Sequence, residues 1–445
     1  MEFIAAIPLI GGALSVILPF LMVLGIVVFV HEYGHYIVGR WCGIHAEVFS
    51  VGYGKPLKTW TDKRGTIWQI AVLPLGGYVK FLGDANAASF NDGTRPDGLS
   101  AAEAARSFPT ATVGRRALTV AAGPFANFIL STIIFGALFM YQGSATDVPT
   151  VDELRVPIAA HHDLQPGDEI VSMNGADVSD FGDIYEGLQE MEVKGDVTLV
   201  VRRDGREREV LAPYLLPPLV AGVQPLSPAS DAGLLAGDLI LTLGGAPLVA
   251  FEDLRKIVLA SDGVELDMVV LRDGAEIPLK ITPEITDTQA ADGGFEKRVM
   301  IGVAGSLAIT PQTETPGVLE ALWGGMVQVY DVIVGSINGL YHIITGSLGA
   351  DNLQGPIGIA QISGDMAGQG LFNFINLIAL ISTAIGLLNL FPIPILDGGH
   401  LAIFAYEAVT GRPPHERFLN VAMSIGFVLL MALMIFATYN DLMRI

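Results

Sequence analysis

One cysteine, Cys42, is all that the 445 residues contain. A lone thiol excludes an intramolecular disulfide and any zinc site built from cysteines, and it leaves the redox compartment open. Basic residues are scarce: 25 Lys and Arg stand against 46 Asp and Glu, a net charge of −21, and none lies in the first 39 residues. An acidic surface repels phosphate backbones, which argues against nucleic acid as a partner. Charge of either sign is thin, at 16%, against 51% hydrophobic residues. That is too apolar for an ordinary soluble protein and too charged for a pure membrane bundle. Membrane spans plus at least one soluble domain follow, with room for two or three domains.

A bilayer core needs ~20 apolar residues of helix. Four runs meet this: Phe3 to Val30, Leu118 to Tyr141, Leu371 to Leu390 and Val421 to Tyr439. A fifth, Val318 to Leu348, carries Glu320, Asp331, His342 and five glycines, and reads as an amphipathic helix lying on the membrane. The first run has Glu2 and no basic residue ahead of it and no small-residue cleavage site after it, so it is expected to stay in the membrane rather than act as a signal peptide. Between Arg40 and Arg116 lie ten basic and six acidic residues, whereas 141–372 holds 12 basic and 34 acidic. The positive-inside rule then places 40–116 in the cytoplasm, and the N-terminus and the acidic middle outside.

The middle is duplicated. At an offset of 70, residues 162–184 and 232–254 share eight of 23 positions, among them Gly167/Gly237, Asp168/Asp238, Gly175/Gly245 and Phe181/Phe251. Each copy reads as a turn, a strand (Glu169–Met173 or Leu239–Leu243), a short helix and a strand hairpin, "VTLVVRRDGRE" or "DMVVLRDGAE". "SPASDAGLLAGDLILTLGG" resembles the PDZ family, and the first copy looks like a trimmed version of it. PDZ domains bind extended peptide ends by strand addition, and such domains also serve as spacers or steric cover.

The first run ends in "HEYGH", His31 to His35. In H-E-x-x-H on a helix the two histidines lie ~40° apart around the axis and ~6 Å along it, so both imidazoles face one way. That suits two ligands of tetrahedral zinc, with Glu32 beside them as general base. Ionisable groups at the end of a membrane helix are costly unless they pair or bind something. A catalytic zinc needs a third protein ligand and one open position. Asp397, in "GLLNLFPIPILDGGH", is the leading candidate and His400 the rival. Pro392 and Pro394 break the helix there, and Gly398 and Gly399 are expected to let the chain turn tightly. With four spans, both halves of the site reach the cytoplasmic side.

"HEYGH", "AAGPFAN" (Ala121 to Asn127), "NLFPIPILDG" (Asn389 to Gly398) and the PDZ-like copies between them together resemble the site-2 protease family over nearly the whole chain. The resemblance implies zinc bound by His31, His35 and Asp397, and Glu32 as catalytic base. It implies that Asn389 helps hold the substrate backbone, and that "LPLGGYVKF" (Leu73 to Phe81), with Gly76, Gly77, Tyr78 and Val79, is a membrane-dipping hairpin that pairs with an unwound substrate. "GPIGIA" (Gly355 to Ala360) also matches the family, with no role derivable from its residues. The activity implied is hydrolysis of a peptide bond within the transmembrane segment of a single-pass protein already trimmed by an upstream protease. An anti-sigma factor in a stress response is the implied substrate, and remnant signal peptides form a second class. The implied setting is the bacterial inner membrane, with the PDZ-like domains periplasmic and the site near the cytoplasmic face.

The expected fold is therefore a multi-pass α-helical membrane protein of about four spans, with two tandem PDZ-like β-rich domains inserted between spans two and three. Its segments are 1–40 (first transmembrane helix with H-E-x-x-H), 41–116 (cytoplasmic-side loop with the hairpin) and 117–142 (second transmembrane helix). Then follow 147–214 and 215–284 (the PDZ-like domains), 285–370 (linker and interfacial helix), 371–400 (third transmembrane helix) and 420–440 (fourth). Two other readings compete. A catalytically inactive membrane-anchored PDZ scaffold makes Glu32 dispensable. A zinc transporter requires more polar residues in the second and fourth spans than Asn127 and a few Ser and Thr.

Overall fold

The computed structural model describes residues 11–84, 99–146, 148–155, 162–192, 195–289 and 294–444. The head of the first apolar run (1–10), part of the 41–116 loop (85–98) and part of the segment leading into the first copy (156–161) lie outside the described residues. The chain divides into two units. One comprises Met1–Leu138, Leu319–Ile343 and Ala350–Ile445, and the other Phe139–Val318 with Ile344–Gly349.

The first unit is built on helices α1 (Gly11–Trp41), α2 (Val113–Gln142), α3 (Val318–Thr345), α4 (Pro356–Gly368), α5 (Leu371–Leu390), α6 (Asp397–Thr410) and α7 (Glu416–Arg444). Lipid offers the backbone no hydrogen-bond partner, so long apolar runs bond to themselves as helix. Five of the described helices are long and apolar enough to cross a membrane, by length and composition: α1, α2, α3, α5 and most of α7. The amphipathic segment thus forms one unbroken helix, α3, that meets the same test as the four expected spans.

Close backbone approach holds this unit together. A methyl group on Gly34 would lie 2.4 Å from the Ala122 carbonyl, so that glycine lets α1 cross α2 in direct contact. Gly325 of α3 would likewise meet the Thr132 carbonyl of α2 at 2.4 Å. Buried hydroxyls join α2 to α5: Ser131 Oγ donates to the Ala379 carbonyl (2.8 Å) and Ser382 Oγ to the Asn127 carbonyl (3.0 Å). In an apolar solvent such bonds between helices contribute ~0.6 kcal/mol each. Val23 and Val27 of α1 pack on Phe374, Leu377 and Ile378 of α5.

Strands β1 (Ala46–Thr61) and β2 (Ile67–Phe81) form the hairpin. Residues 46–51 lie between two parts of β2, with Phe49 opposite both Trp68 and Val79 and Val51 opposite both Ile70 and Gly77. Phe49, Val79 and Phe81 bury themselves with Tyr36 of α1. The turn is tied down by Asp62, which accepts from the Tyr36 hydroxyl (3.0 Å), the Trp68 indole (3.3 Å) and the backbone of Arg64 and Thr66. Burial pushes this carboxyl up, but the donors outweigh it and hold the pKa at about 2.

"GPIGIA" acquires a structural reason. It opens α4, and its first backbone N–H groups, which have no partner within the helix, are collected by one carboxylate from the far end of the chain. Gly355, Ile357 and Gly358 donate to Asp441 of α7 at 2.9, 3.1 and 2.9 Å. Neighbouring Asn440 donates to the carbonyls of Ala350 and Leu353.

The second unit repeats one pattern twice. The first copy has a four-stranded sheet in the order Ala176–Asp177, Glu169–Met173, Val197–Arg203, Arg206–Ala212. The second has the same order in Ala246–Pro247, Leu239–Leu243, Leu266–Arg272, Ala275–Ile281. Each carries a ten-residue helix, Phe181–Glu190 or Phe251–Ala260. The shared aspartates are buried anchors: Arg203 forks onto Asp168 (2.6 Å twice) and Arg272 onto Asp238 (2.7 Å twice). The two copies are not simply tandem. After the second sheet and the pair Glu284–Gln289/Phe295–Met300, the chain turns back. Val303–Gly305 pairs with Val220–Val223 of the second copy, and Ile309–Pro311 pairs with Val151–Leu154 of the first. The second copy is nested in the first, and the described part of the segment expected as linker carries the strands Glu284–Gln289, Phe295–Met300, Val303–Gly305, Ile309–Pro311 and Thr313–Glu314. Runs of three residues beside Gly and Pro carry too little alternation to show this in sequence.

Asp441→Ala would leave three donors at the start of α4 without an acceptor, two of them buried, at about 1–3 kcal/mol for each buried one. The expected outcome is an unfolding midpoint in detergent several degrees below the native chain's, with Asp441→Asn intermediate. A native midpoint for Asp441→Ala would show that water replaces the carboxylate.

Candidate metal centre and active site

α1 presents His31 and His35 one turn apart, with their Nε2 atoms 3.2 Å from each other. Asp397, the first residue of α6, brings Oδ2 to 3.1 Å from His31 Nε2 and 3.5 Å from His35 Nε2. The chain reaches that position through the break at 391–396 after α5. Gly398 and Gly399 do not form the turn, as expected from sequence, but lie inside α6. A Cβ there would meet the Leu390 carbonyl at 2.2 Å or the Ile393 carbonyl at 2.3 Å, so these glycines provide clearance.

The protonation chemistry of the trio fixes what can sit among them. His35 Nδ1–H donates to the Thr119 carbonyl at 2.9 Å. A carbonyl only accepts, so Nε2 of the neutral ring carries a lone pair. The Asn127 side-chain amide lies 3.3 Å from His31 Nδ1. Its Oδ1 is buried without a hydrogen-bond partner among the described residues, and Asp397 Oδ2 is buried facing the two Nε2 atoms. A half-turn of the Asn127 amide, which leaves its shape unchanged, puts Oδ1 where it accepts from His31 Nδ1–H. His31 Nε2 then also carries a lone pair. Two imidazole nitrogens and a carboxylate oxygen, all within 4.8 Å of one another, repel unless a cation stands among them. Two nitrogens, one oxygen and an open side are the donor set of a catalytic zinc. Gly123 of α2 completes the cradle, since a Cβ there would lie 2.3 Å from His35 Nε2. The residues fit the group.

His400, the rival, lines the same cavity but its Nδ1–H donates to the Leu396 carbonyl at 3.1 Å, and it is not among the three converging groups. Glu32 sits on the hairpin side of α1, beside Gly77 and in the same cavity as Val79. A cavity of about 310 Å³ joins the trio, Glu32, Asn389 and His400 to Gly77, Tyr78 and Val79 of β2. Asn389 faces this space and donates its Nδ2–H to the Ile385 carbonyl of its own helix. Gly76 does not line the cavity; it holds φ at +121° and lies against the Tyr53 ring. The Tyr53 hydroxyl donates to the Gly77 carbonyl at 2.8 Å. Asp84 also lines the cavity, and burial pushes its carboxyl up to about 7.

Sequence reasoning missed Thr119, Gly123 and Asn127 as supports of the two histidines. For Gly123 and Asn127 the signal was in "AAGPFAN", a polar residue and a helix-breaking pair in an otherwise apolar run; Thr119 acts through its backbone carbonyl, which any residue supplies.

The chain matches Peptidase family M50, the site-2 protease family, over residues 19–433 and belongs to that family. It is a membrane-integral zinc metalloendopeptidase. Among similar proteins, one from Agrobacterium fabrum, named "Putative zinc metalloprotease", is 36% identical over 440 residues, 97% of each chain. The regulator of sigma E protease of Salmonella typhi is 33% identical over 456 residues, covering 96% of this chain and 98% of that protein.

Removing the acceptor for His31 Nδ1–H frees the ring to take the wrong tautomer. Asn127→Ala is expected to weaken zinc binding by about 10–100-fold, as loss of such supporting bonds does elsewhere. Asn127→Asp, which can only accept, is expected to bind zinc close to the native level. Chelator competition reads both, and native affinity for the alanine variant would remove Asn127 from the centre.

Proposed function

We propose that His31, His35 and Asp397 hold the zinc of an intramembrane endopeptidase and that Glu32 is its general base. The observation that carries this is the convergence of three potential ligand atoms, all within 4.8 Å of one another, with Glu32 in the same cavity. Zinc there supplies Lewis acidity toward a scissile carbonyl and toward water. Glu32 takes a proton from the attacking water and delivers it to the leaving amine. Family membership argues against the inactive scaffold.

A helical substrate hides its carbonyls in i to i−4 bonds and must unwind before hydrolysis. The segment Gly77–Val79 borders the cavity, so a substrate in extended form would lie along it, with Asn389 as a second backbone partner. The Gly77 carbonyl is held by Tyr53, and an incoming strand would have to displace that hydroxyl. In the second copy, an apolar cavity of about 210 Å³ lies between the helix Phe251–Ala260 and residues 298–303, lined by Leu254, Val258, Ile301 and Val303. It supports peptide binding in the PDZ manner, beyond a merely steric role.

Four helices cross the membrane in this reading, α1, α2, α5 and α7, with α3 along the outer surface. Near its start α3 abuts α2 at Gly136, two turns from the α2 end. Ala350, just past its other end, is bonded to Asn440 near the end of α7. Both ends of α3 thus neighbour helix termini that four-span topology puts on one side. The setting is the bacterial inner membrane, with the acidic β unit periplasmic and the zinc near the cytoplasmic face. The substrate class is a single-pass membrane protein trimmed beforehand by another protease, an anti-sigma factor foremost and remnant signal peptides second.

The test compares native chain with Glu32→Gln on a model transmembrane substrate. Equal zinc content with cleavage lowered by about 10²–10⁴-fold is expected for loss of a general base. Cleavage by both at one rate would overturn the assignment. In the same assay Tyr53→Phe, which frees the Gly77 carbonyl, should lower KM, and an unchanged KM would exclude the hairpin from presentation.

A further inference from the structure

A buried ion pair ties the helix that carries Asp397 to the helix that supports the histidines. Arg116, in the first turn of α2, donates from Nη2 to Glu407 Oε1 of α6 at 2.6 Å, with side chains only 6% and 13% exposed. Arg116 Nε–H also donates to the Ala111 carbonyl at 3.1 Å, and its guanidinium carbon lies 4.9 Å from the centre of the Phe404 ring, again on α6. The guanidinium is thus held on three sides, two of them on α6.

From the geometry we infer that Arg116 and Glu407 are positioning residues for the zinc centre, setting the register in which α6 presents Asp397. This rests on the reading that His31, His35 and Asp397 hold the metal. Glu407 lies ten residues along α6 from Asp397, ~15 Å down the axis. The near end of α6 is seated against the carbonyls of Leu390 and Ile393 through Gly398 and Gly399. With its far end bonded to Arg116, the helix is held at both ends against tilt and rotation about its axis. The same arginine is three residues before Thr119, whose carbonyl fixes His35, and seven before Gly123, which lies against both imidazoles. One end of α2 therefore fixes both sides of the trio. An apolar pair of similar volume would fill the space as well, but hydrophobic contact is non-directional and would not define the register. Specifying register is the best-attested use of a buried ionic pair.

The experiment uses the full chain in detergent and measures zinc affinity by chelator competition alongside thermal unfolding. Arg116→Met strands a buried carboxylate and is expected to lower both. The double variant Arg116→Met with Glu407→Met removes both charges. Its unfolding midpoint should return to within a few degrees of the native chain's, while its zinc affinity stays reduced by about tenfold or more, the range seen for lost supporting bonds. A double variant that binds zinc as tightly as the native chain would overturn the inference and leave the pair a packing element. A native chain that binds no zinc would instead refute the underlying metal assignment.

Discussion

Three atoms that can each offer a lone pair to a cation set the terms for the first unit of this protein. His31 Nε2, His35 Nε2 and Asp397 Oδ2 are pointed at a common centre by elements far apart in the chain. Both imidazole rings are held from turning away by a second contact. Thr119 fixes one ring, Asn127 the other, and Gly123 leaves the room they need. In a setting where the surrounding helices are apolar, this arrangement is expensive without a cation and stable with one. The rest of the unit can be understood as what holds such an arrangement in place.

Its helices are joined by close contact rather than by a large apolar core. Lipid is as apolar as leucine, so burial of side chains between helices gains little, and direct backbone approach at small residues takes over. Gly34 is the clearest case, since this one of the three residues between the two histidines of the motif lets α2 reach them. The polar bonds follow the same logic. Ser131 and Ser382 join α2 to α5, Asp441 caps α4, and Arg116 holds α6. The second unit, with sheets and aspartate–arginine anchors, uses ordinary aqueous packing around Ile184, Leu199, Ile240 and Val270.

Much of this was legible in sequence for physical reasons. Long apolar runs, the i, i+4 histidines and the repeat at Asp168 and Asp238 each have a period or spacing that only one local structure satisfies. Asp397 could be picked because ionisable residues near the spans are few. What sequence did not show has no period. The nested order of the two copies depends on pairing between short strands more than 150 residues apart. The acceptor for the α4 donors is Asp441, over 80 residues away, and the partner of Arg116 is 291 residues on. The expectation that Gly398 and Gly399 form a turn failed because their neighbours, rather than their own dihedral angles, require the missing side chain.

The central claim is that the converging trio is a zinc centre of two imidazoles and a carboxylate. Zinc X-ray absorption on the full chain in detergent, paired with metal content, addresses it directly. One zinc per chain is predicted, with nitrogen and oxygen neighbours near ~2.0–2.2 Å and no sulfur. That signal should be lost or rearranged in Asp397→Ala. Absence of stoichiometric zinc, or a spectrum unchanged by that substitution, would contradict the account.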